Sequence, residues 1–595
     1  MVEFMEMTGE SRMIDLPPVS SSSVDSNPGY LLLIYTLDIG DICGSRTQGR
    51  ENRGMTQPNN RKSSSGGSKP AIHLDSSPEL GRYFVASRAF KPGDIVMKEF
   101  PLASAPGPLS EHVCFACHRL FARAHICSDC RSPLCSRNCQ VSPEHQRECR
   151  YLTKIIAEIE NRQRNGKIQR VPVQLGMLML PLRLLMLRRE QPDKWNQLMD
   201  LESHTTARQA TSIWGFNQRN ITPFLETMLI DEMPDIINDD LVQQMCGAVD
   251  VNSFEIRIET PDRRHTNDLP QQPMPNSQEV LRGTFYMASL MAHSCVVNAQ
   301  ISIGNDSQMT VKATVPIREG EGIFVSYTDP LQTTLQRRTF LEKGKHFICR
   351  CRRCQDPTEF GTFASAVRCR SCTSGWVLPN DDPASIASAA AVEGVALRWK
   401  CSECSSELKS EEIGRTEEVI QNIVKNIQRL PVDRHLIDRC EELFVTLPKK
   451  IHVNHAFLLQ LRISLIHLYG NVPGFLIPEL SVGLLQRKAQ LCAELLEALR
   501  HLCPGYSRLR GMILYELHVP LVCLANKKYE KGRSKQPDQL ITELKEAEIY
   551  LKEAVQILIH EPTSTPESRI ARAAMADLKQ LREYIRDMEK LKHLA

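Results

Sequence analysis

Residues 114–149 carry eight side chains of the types that bind metal ions, at the ordered spacings C-x2-C, C-x2-C, C-x3-C and H-x3-C. Zinc binds thiolate and imidazole ligands in a tetrahedron, and a C-x2-C pair offers both sulfurs to one ion from a tight turn. Scattered buried or disulfide-bonded cysteines would leave the regular order and the histidine unexplained. The pattern predicts two structural zinc ions with the ligands Cys114, Cys117, Cys127, Cys130, Cys135, Cys139, His145 and Cys149.

The order of these ligands resembles that of the MYND finger, in which pairs of ligands alternate between two ions. The resemblance implies one ion on Cys114, Cys117, Cys135 and Cys139. It implies a second ion on Cys127, Cys130, His145 and Cys149. MYND fingers are protein-interaction modules, so the resemblance also implies binding of proline-containing peptides or corepressors.

Short motifs lie on both sides of the finger in a fixed order. Upstream, Gly81–Ala86 and Ile95–Met97 look like two strands joined by a Pro-Gly turn. Downstream come a His-Ser-Cys segment at 290–298, a Gly-Glu-Gly segment at 317–327 and a cysteine cluster at 349–354. The ordered set resembles the split SET domain of the SET-and-MYND protein-lysine methyltransferases, over residues 75 to 356.

That resemblance implies small β-sheets that bring the segments of His293 and Tyr327 together around S-adenosylmethionine and a lysine channel. A free lysine with a pKa near 10.4 is neutral only about once in a few thousand molecules at pH 7, so the site must help to deprotonate and align the amine. Tyr327 matches the catalytic tyrosine of the family. The alternative is a strand tyrosine that is half-buried in the sheet.

Further contacts to S-adenosylmethionine follow from the resemblance, residue by residue. They are Gly81, Arg82, His204, Asn252, Phe254, His293 and Phe347. Phe347 matches an aromatic residue that packs on the adenine. His204 is also explained as a surface histidine at the start of a helix.

Three positions depart from the family pattern. Tyr83 stands where the family has a second glycine, which lets the backbone approach the cofactor. Ala292 replaces an asparagine whose amide binds the cofactor, a loss of about 1–3 kcal/mol. Val297 replaces a proline of the same motif. These departures predict weakened cofactor affinity.

Two more metal sites are expected downstream. Cys349, Cys351 and Cys354 supply three thiolates, and the resemblance takes the fourth from Cys295. Two further C-x2-C pairs resemble a zinc ribbon that is inserted in arthropod members of the family; the alternative is two unrelated reduced pairs. Their cysteines are Cys369, Cys372, Cys401 and Cys404.

The composition agrees with a multidomain protein of a reducing compartment. The chain has 595 residues, 21 cysteines and a net charge of +3. Most cysteines are assigned to zinc and no cleavable signal precedes them, which favours a cytoplasmic or nuclear location. The apolar run at 30–35 is too short to span a bilayer, so no membrane association is expected. The balanced charge gives no strong nucleic-acid signal.

The fold class expected is α+β with several domains. Residues 1–70 are predicted to be disordered, 71–113 to be the first part of the SET domain, 114–149 the MYND finger and 150–248 a helical insertion. Residues 249–330 would form the core SET domain and 331–410 the post-SET and ribbon region. From 411 to 595 the pattern predicts helices that resemble degenerate tetratricopeptide repeats, and Pro566 after Thr565 indicates a helix start. Apolar residues recur there at spacings of four and three: Leu540, Leu544, Ala547, Leu551, Ala554 and Leu558.

Two functions remain open on the sequence. One is a protein-lysine methyltransferase that uses S-adenosylmethionine and a lysine-containing protein substrate, histone or otherwise. The other is a catalytically weak or inactive adaptor that recruits partners through its MYND finger and helices, for example in transcriptional repression. Tyr327 and His293 favour the first, whereas Tyr83 and Ala292 favour the second.

Overall fold

The computed structural model describes residues 70–594 apart from 109, 166–174, 230–238, 259–279, 373, 382–396, 405, 531–536 and 564. The segment predicted to be disordered, 1–70, lies outside the described residues except for Pro70. The described chain forms two compact units, one of Pro101–Ser289 and the other of the residues up to Phe100 together with those from Leu290 onward. The predicted SET segments 71–113 and 249–330 each contribute to both units, and the predicted domain boundaries stay predictions.

Sixteen strands lie in the described residues. They are β1 Ile72–Ser77, β2 Gly81–Ala86, β3 Ile95–Glu99, β4 Ala103–Pro106, β5 His125–Ile126, β6 Pro133–Leu134, β7 Ser253–Arg257, β8 Val280–Thr284, β9 Ala292–His293, β10 Ala299–Ile303, β11 Met309–Ala313, β12 Gly322–Val325, β13 Val367–Arg368, β14 Trp376–Asp381, β15 Leu397–Cys401 and β16 Glu407–Leu408.

The α-helices of the described residues are concentrated in the SET insertion and the C-terminal third. They are α1 Arg137–Gln140, α2 Pro143–Arg164, α3 Leu175–Glu190, α4 Pro192–Met199, α5 Thr205–Arg208, α6 Ser212–Asn220, α7 Thr222–Leu229, α8 Asp239–Asn252, α9 Tyr286–Ser289, α10 Thr334–Lys345, α11 Arg352–Gln355, α12 Ser410–Gln428, α13 Arg434–Thr446, α14 Ala456–Leu468, α15 Val482–Leu502, α16 Arg508–Glu530, α17 Pro537–Leu558 and α18 Pro566–Leu594. Two short 3-10 helices cover Leu447–Lys449 and Ile477–Glu479.

The unit that contains Leu290 onward holds three sheets, with the strand orders β1-β2-β12-β9, β10-β11-β3 and β13-β14-β15-β16. Both predicted N-terminal strands are confirmed, but β2 and β3 belong to different sheets. In the first sheet β12 runs parallel to β9, with Phe324 opposite Ala292 and Val325 opposite His293. This pairing brings the end of β12, just before Tyr327, next to the His293 segment.

The unit of Pro101–Ser289 combines the sheet β4-β8-β7 with the finger and helices α1 to α9. The finger itself has only the two-residue strands β5 and β6, so it buries too little apolar surface to be stable without other links. Helix α2 continues directly from the finger. It begins at Pro143 after the N-cap Ser142, whose side chain accepts from the His145 amide.

Helices α12 to α18 form the C-terminal part of the larger unit, in which consecutive helices pack against one another. The predicted stripe on α17 is confirmed, because its six apolar members are all buried. They are Leu540, Leu544, Ala547, Leu551, Ala554 and Leu558. Helix α18 begins at Pro566, as the sequence predicts. The likeness of these helices to tetratricopeptide repeats stays a prediction. None of the described helices combines the length and the apolar character needed to cross a membrane.

Candidate metal centres and active site

The finger brings its eight predicted ligands together as the two predicted sets of four. A tetrahedral zinc with bonds of about 2.3 Å to sulfur requires sulfurs about 3.8 Å apart. In the first set the Sγ atom of Cys135 lies 3.6 Å from the Sγ of Cys117 and 3.4 Å from the Sγ of Cys139. In the second, Cys127 and Cys149 are 3.8 Å apart. None of these cysteines is in a disulfide, so both cages fit zinc.

Local structure explains how His145 and Cys149 reach one ion. They stand four residues apart on α2 and therefore share a helix face, and both are buried. The imidazole Nε2 of His145 lies 3.3 Å from Cys127 Sγ and 3.7 Å from Cys130 Sγ. The ligand set therefore joins the loop of the finger to the first two turns of α2.

Arg183 of α3 fastens the finger to the rest of its unit. Its guanidinium donates to both oxygens of Glu148, at 2.7 and 2.9 Å, and to the carbonyl of Phe115 at 2.6 Å. It also lies 2.8 Å from the Nε2 of His118, where burial and then the charge of Arg183 lower the histidine pKa to about 3. His118 is thus neutral and accepts from Arg183. The finger is held at a fixed position on α3.

The third predicted set gathers Cys295, Cys349, Cys351 and Cys354. The Sγ of Cys295 lies 3.5 Å from that of Cys354 and 3.9 Å from that of Cys349, again near the edge of a zinc tetrahedron. Three of the four thiols are buried. This cage links the segment after β9 to the loop after α10.

The fourth predicted set gathers Cys369, Cys372, Cys401 and Cys404. The Sγ distances are 3.8 Å for Cys369 to Cys404 and 3.6 Å for Cys372 to Cys401. Gly375 lies against this cage, and a Cβ atom there would stand 2.5 Å from Cys401 Sγ. The spacing favours a shared metal ion over two unrelated reduced pairs.

Tyr327 is half-buried, two residues after the end of β12, and is held at both its hydroxyl and its backbone. Its hydroxyl donates to the carbonyl of Met291, and its backbone N–H donates to Nδ1 of His293 at 2.9 Å. Burial raises the pKa of the phenol above its usual value. The tyrosine therefore stays protonated at neutral pH and acts as a neutral hydrogen-bonding group.

Aromatic rings surround this tyrosine. The ring centroids of Tyr327 and His293 are 5.2 Å apart, and Phe347 lies 6.1 Å from His293 and 6.5 Å from Tyr327. Phe347 is 37% exposed, so part of its ring is available to a ligand. The ammonium of Lys345, at the end of α10, lies 5.4 Å from the centroid of the Tyr327 ring. The structure thus brings together three of the predicted site residues.

Gly81 and Arg82 open β2, in the same sheet as β12 and β9. Gly81 has a φ of +65° and open space around its missing Cβ, which suits a close ligand. The Tyr83 side chain bonds instead to the neighbouring strand, with its hydroxyl 3.3 Å from Asp75 Oδ2. Ala292 is buried in β9 and offers no side-chain polar group.

The other three predicted cofactor residues lie in the unit of Pro101–Ser289. The amide of Asn252 donates to the carbonyls of Glu202 and Ala248, at 2.8 and 3.1 Å. His204 stands at the N-cap position of the short helix α5, with a φ of +48° and no capping hydrogen bond from its side chain. Phe254 packs edge-on against Phe285. Their contacts to a cofactor stay predictions.

Sequence reasoning missed two groups at this site. Met291 accepts the hydrogen bond from Tyr327 through its backbone carbonyl, a group that every residue type carries. Arg337 of α10 is fully buried and donates from Nε to Cys295 Sγ at 3.3 Å, and from Nη2 to Cys354 Sγ at 3.6 Å. The one feature of the sequence that could have pointed to Arg337 is its position, on a helix between Tyr327 and the cysteine cluster.

No family model matches the chain. The SET domain-containing protein SmydA-8, isoform A, of Drosophila melanogaster is 28% identical over 371 residues, which are 60% of this chain and 70% of that protein. The histone-lysine N-methyltransferase SMYD3 of Mus musculus is 26% identical over 272 residues, 44% of this chain and 57% of that protein. The histone-lysine N-methyltransferase Smyd1 of Mus musculus is 23% identical over 322 residues, 50% of this chain and 59% of that protein.

A solved structure of the SET domain of LSMT, bound to lysine and AdoHcy, aligns with 87% of this chain and 89% of its own at 11% identity. Its TM-score of 0.23 is too low to support an inference about the fold.

Proposed function

We propose that this chain, which belongs to the SET and MYND domain-containing proteins, is an S-adenosylmethionine-dependent protein-lysine methyltransferase. The observation that carries the proposal is the half-buried Tyr327, whose hydroxyl is held by the Met291 carbonyl beside the parallel pair β9 and β12. A partly exposed aromatic ring, Phe347, and a glycine with open space, Gly81, lie in the same unit. Two of the relatives, SMYD3 and Smyd1 of Mus musculus, are named histone-lysine N-methyltransferases.

The residues of the site fit the demands of methyl transfer to an amine. S-adenosylmethionine, when bound, supplies an electrophilic methyl group on a sulfonium, from which a neutral lysine amine can take it. The raised pKa of Tyr327 keeps its oxygen protonated, so its lone pairs can accept an amine N–H and direct the nitrogen lone pair. The ammonium of Lys345 beside the ring disfavours a second positive charge, which lowers the pKa of an entering lysine.

The finger supports a second role in partner recruitment. Its exposed apolar side chains include Ile126, at 54%, and Val141, at 68%, while Arg183 holds the finger in place. Such a surface suits an extended apolar segment, and we propose proline-containing peptides or corepressors as partners. An adaptor without turnover is the second candidate function, because Ala292 lacks the amide that the family directs at the cofactor.

One zinc ion per cage, four per chain, is part of the proposal. The thiolate ligands favour a reducing compartment, so we propose a location in the cytoplasm, the nucleus or both.

Methylation of core histones with tritiated S-adenosylmethionine tests the proposal through the variant Tyr327→Phe. This change removes one hydroxyl and keeps the ring, so the rate should fall by about 100-fold or more while the melting temperature barely changes. Tyr515→Phe is the matched control, because it removes the hydroxyl of another half-buried tyrosine, which bonds Asp577 at 2.9 Å in the C-terminal helices. An active wild type whose rate is equal in both variants would refute the role of Tyr327.

A further inference from the structure

His293 lies between the candidate catalytic tyrosine and the third metal cage. Its Nδ1 is 2.9 Å from the backbone nitrogen of Tyr327, and its Nε2 is 3.3 Å from the Sγ of Cys295. The ring is buried, with 7% exposure. One imidazole therefore touches a ligand of the cage with one nitrogen and the Tyr327 backbone with the other.

The partners of the ring determine where its hydrogen lies. A backbone N–H can only donate, so Nδ1 of His293 must accept from Tyr327 with a bare lone pair. A neutral imidazole then carries its hydrogen on Nε2, which donates it to the Cys295 sulfur. Both hydrogen bonds require this one tautomer.

Cys295 also receives an N–H from Arg337. Arg337 donates to it from Nε and to Cys354 from Nη2, while its Nη1 lies 3.0 Å from the carboxylate of Glu359. Four thiolates and one Zn²⁺ carry a net charge of −2, so a buried guanidinium beside them offsets part of that charge. Arg337 thus contacts two sulfurs of the cage, and His293 contacts one of them.

We propose that His293 is a positioning residue that joins the post-SET metal centre to Tyr327, so that the metal centre helps to fix where the catalytic hydroxyl lies. The proposal rests on the proposed methyltransferase function for its catalytic half only. It replaces a direct contact to S-adenosylmethionine as the role of the His293 side chain, since both ring nitrogens are already engaged. The Met291 carbonyl belongs to the same segment, so Tyr327 is held at its backbone and at its hydroxyl by neighbours of Cys295.

We call the chain of contacts from Cys295 through the His293 ring to Tyr327 the relay. Two substitutions each break one of its two hydrogen bonds. His293→Asn places an amide oxygen near the position of Nδ1, so it can still accept from Tyr327 but no longer reaches Cys295. His293→Gln places an amide N–H near the position of Nε2, so it can still donate to Cys295 but no longer accepts from Tyr327. His467→Asn is the control, because His467 is a buried histidine of α14.

Three readouts apply to the full-length, zinc-loaded chain: zinc loss to a chromophoric chelator, the S-adenosylmethionine affinity by calorimetry, and kcat on core histones. His293→Asn should release one zinc equivalent about ten-fold or more faster than the wild type. His293→Gln should keep its zinc and lose about ten-fold or more in kcat. Both should bind S-adenosylmethionine as the wild type does, and the control should match the wild type in every readout.

Weaker S-adenosylmethionine binding in both variants with unchanged zinc loss would overturn the relay and make His293 a cofactor contact. If the variants do not fold, nitrogen NMR of the wild-type histidines decides the matter. Hydrogen on Nε2 of His293 supports the relay, and hydrogen on Nδ1 overturns it. The zinc and NMR readouts need no turnover, so an inactive wild type would refute the proposed function without deciding the relay.

Discussion

Replacing Arg337 by methionine should destabilise the region around the third metal cage more than any surface substitution. The change removes the N–H donors to Cys295 and Cys354 and one partner of the fully buried Glu359. Losing one partner of a buried ion pair costs about 3–5 kcal/mol. Because Arg353 still lies 2.7 Å from Glu359, and Ser365 still donates to it, we expect about 3 kcal/mol.

Urea unfolding of the zinc-saturated chain measures this loss, and chelator-driven zinc release should become about ten-fold faster. Arg439→Met is the matched control, since Arg439 pairs with Glu442 on the exposed face of α13 and should contribute less than about 1 kcal/mol. Glu359→Gln in the Arg337→Met background should add to the loss, because it removes the anion that still pairs with the fully buried Arg353. A loss below about 1 kcal/mol for Arg337→Met would refute the view that a buried charge network supports the cage.

Three further predictions concern the zinc content, Ala292 and Glu417. Elemental analysis of chain purified under reducing conditions should find four zinc ions, and two or fewer would remove the post-SET and ribbon assignments. Ala292→Asn should restore one hydrogen bond and tighten S-adenosylmethionine binding about ten-fold in calorimetry; unchanged or weaker binding would mean that the pocket is built differently. Burial raises the pKa of Glu417 from 4.5 to about 8. Between these two pH values the folded chain keeps a proton that the unfolded chain loses, so the free energy of unfolding should fall as the pH rises from 4.5 to about 8. Glu417→Gln should abolish this fall and stabilise the chain at pH 8.5 by a few kcal/mol, at about 1.4 kcal/mol per pKa unit; the same pH dependence in the variant would contradict it.

The metal ligands could be predicted from the sequence because zinc imposes its geometry through local spacing. Cys114 and Cys117 must share an ion if two residues separate them in a tight turn, and the same holds for Cys401 and Cys404. The stripe on α17 and the start of α18 at Pro566 were predictable for the same reason, since helix periodicity and proline preference act over a few residues. Only the pairing of distant ligands, such as Cys295 with Cys349, needed the family resemblance.

The contacts around Tyr327 could not be predicted, because they join residues that are far apart in sequence. No local pattern places β2 and β3 in different sheets or aims His293 at Cys295. Glu359 lies in a turn where Glu359, Phe360 and Phe363 all have positive φ, a conformation their residue types do not announce. That turn presents the carboxylate to Arg337 and Arg353, which outweigh its burial and lower its pKa to about 2. Arg337 is fully buried on α10, whereas a charged residue in a helix is normally expected on the exposed face, so its burial could not be predicted from the helix pattern.

Titration of S-adenosylmethionine into the zinc-loaded wild-type chain by calorimetry tests the central claim most directly. A methyltransferase with this site, weakened at Ala292 but retaining Gly81 and Phe347, should bind one S-adenosylmethionine per chain with a dissociation constant below about 1 mM. Absence of binding at millimolar S-adenosylmethionine would contradict the proposed function and leave the zinc-organised adaptor as the account of this chain.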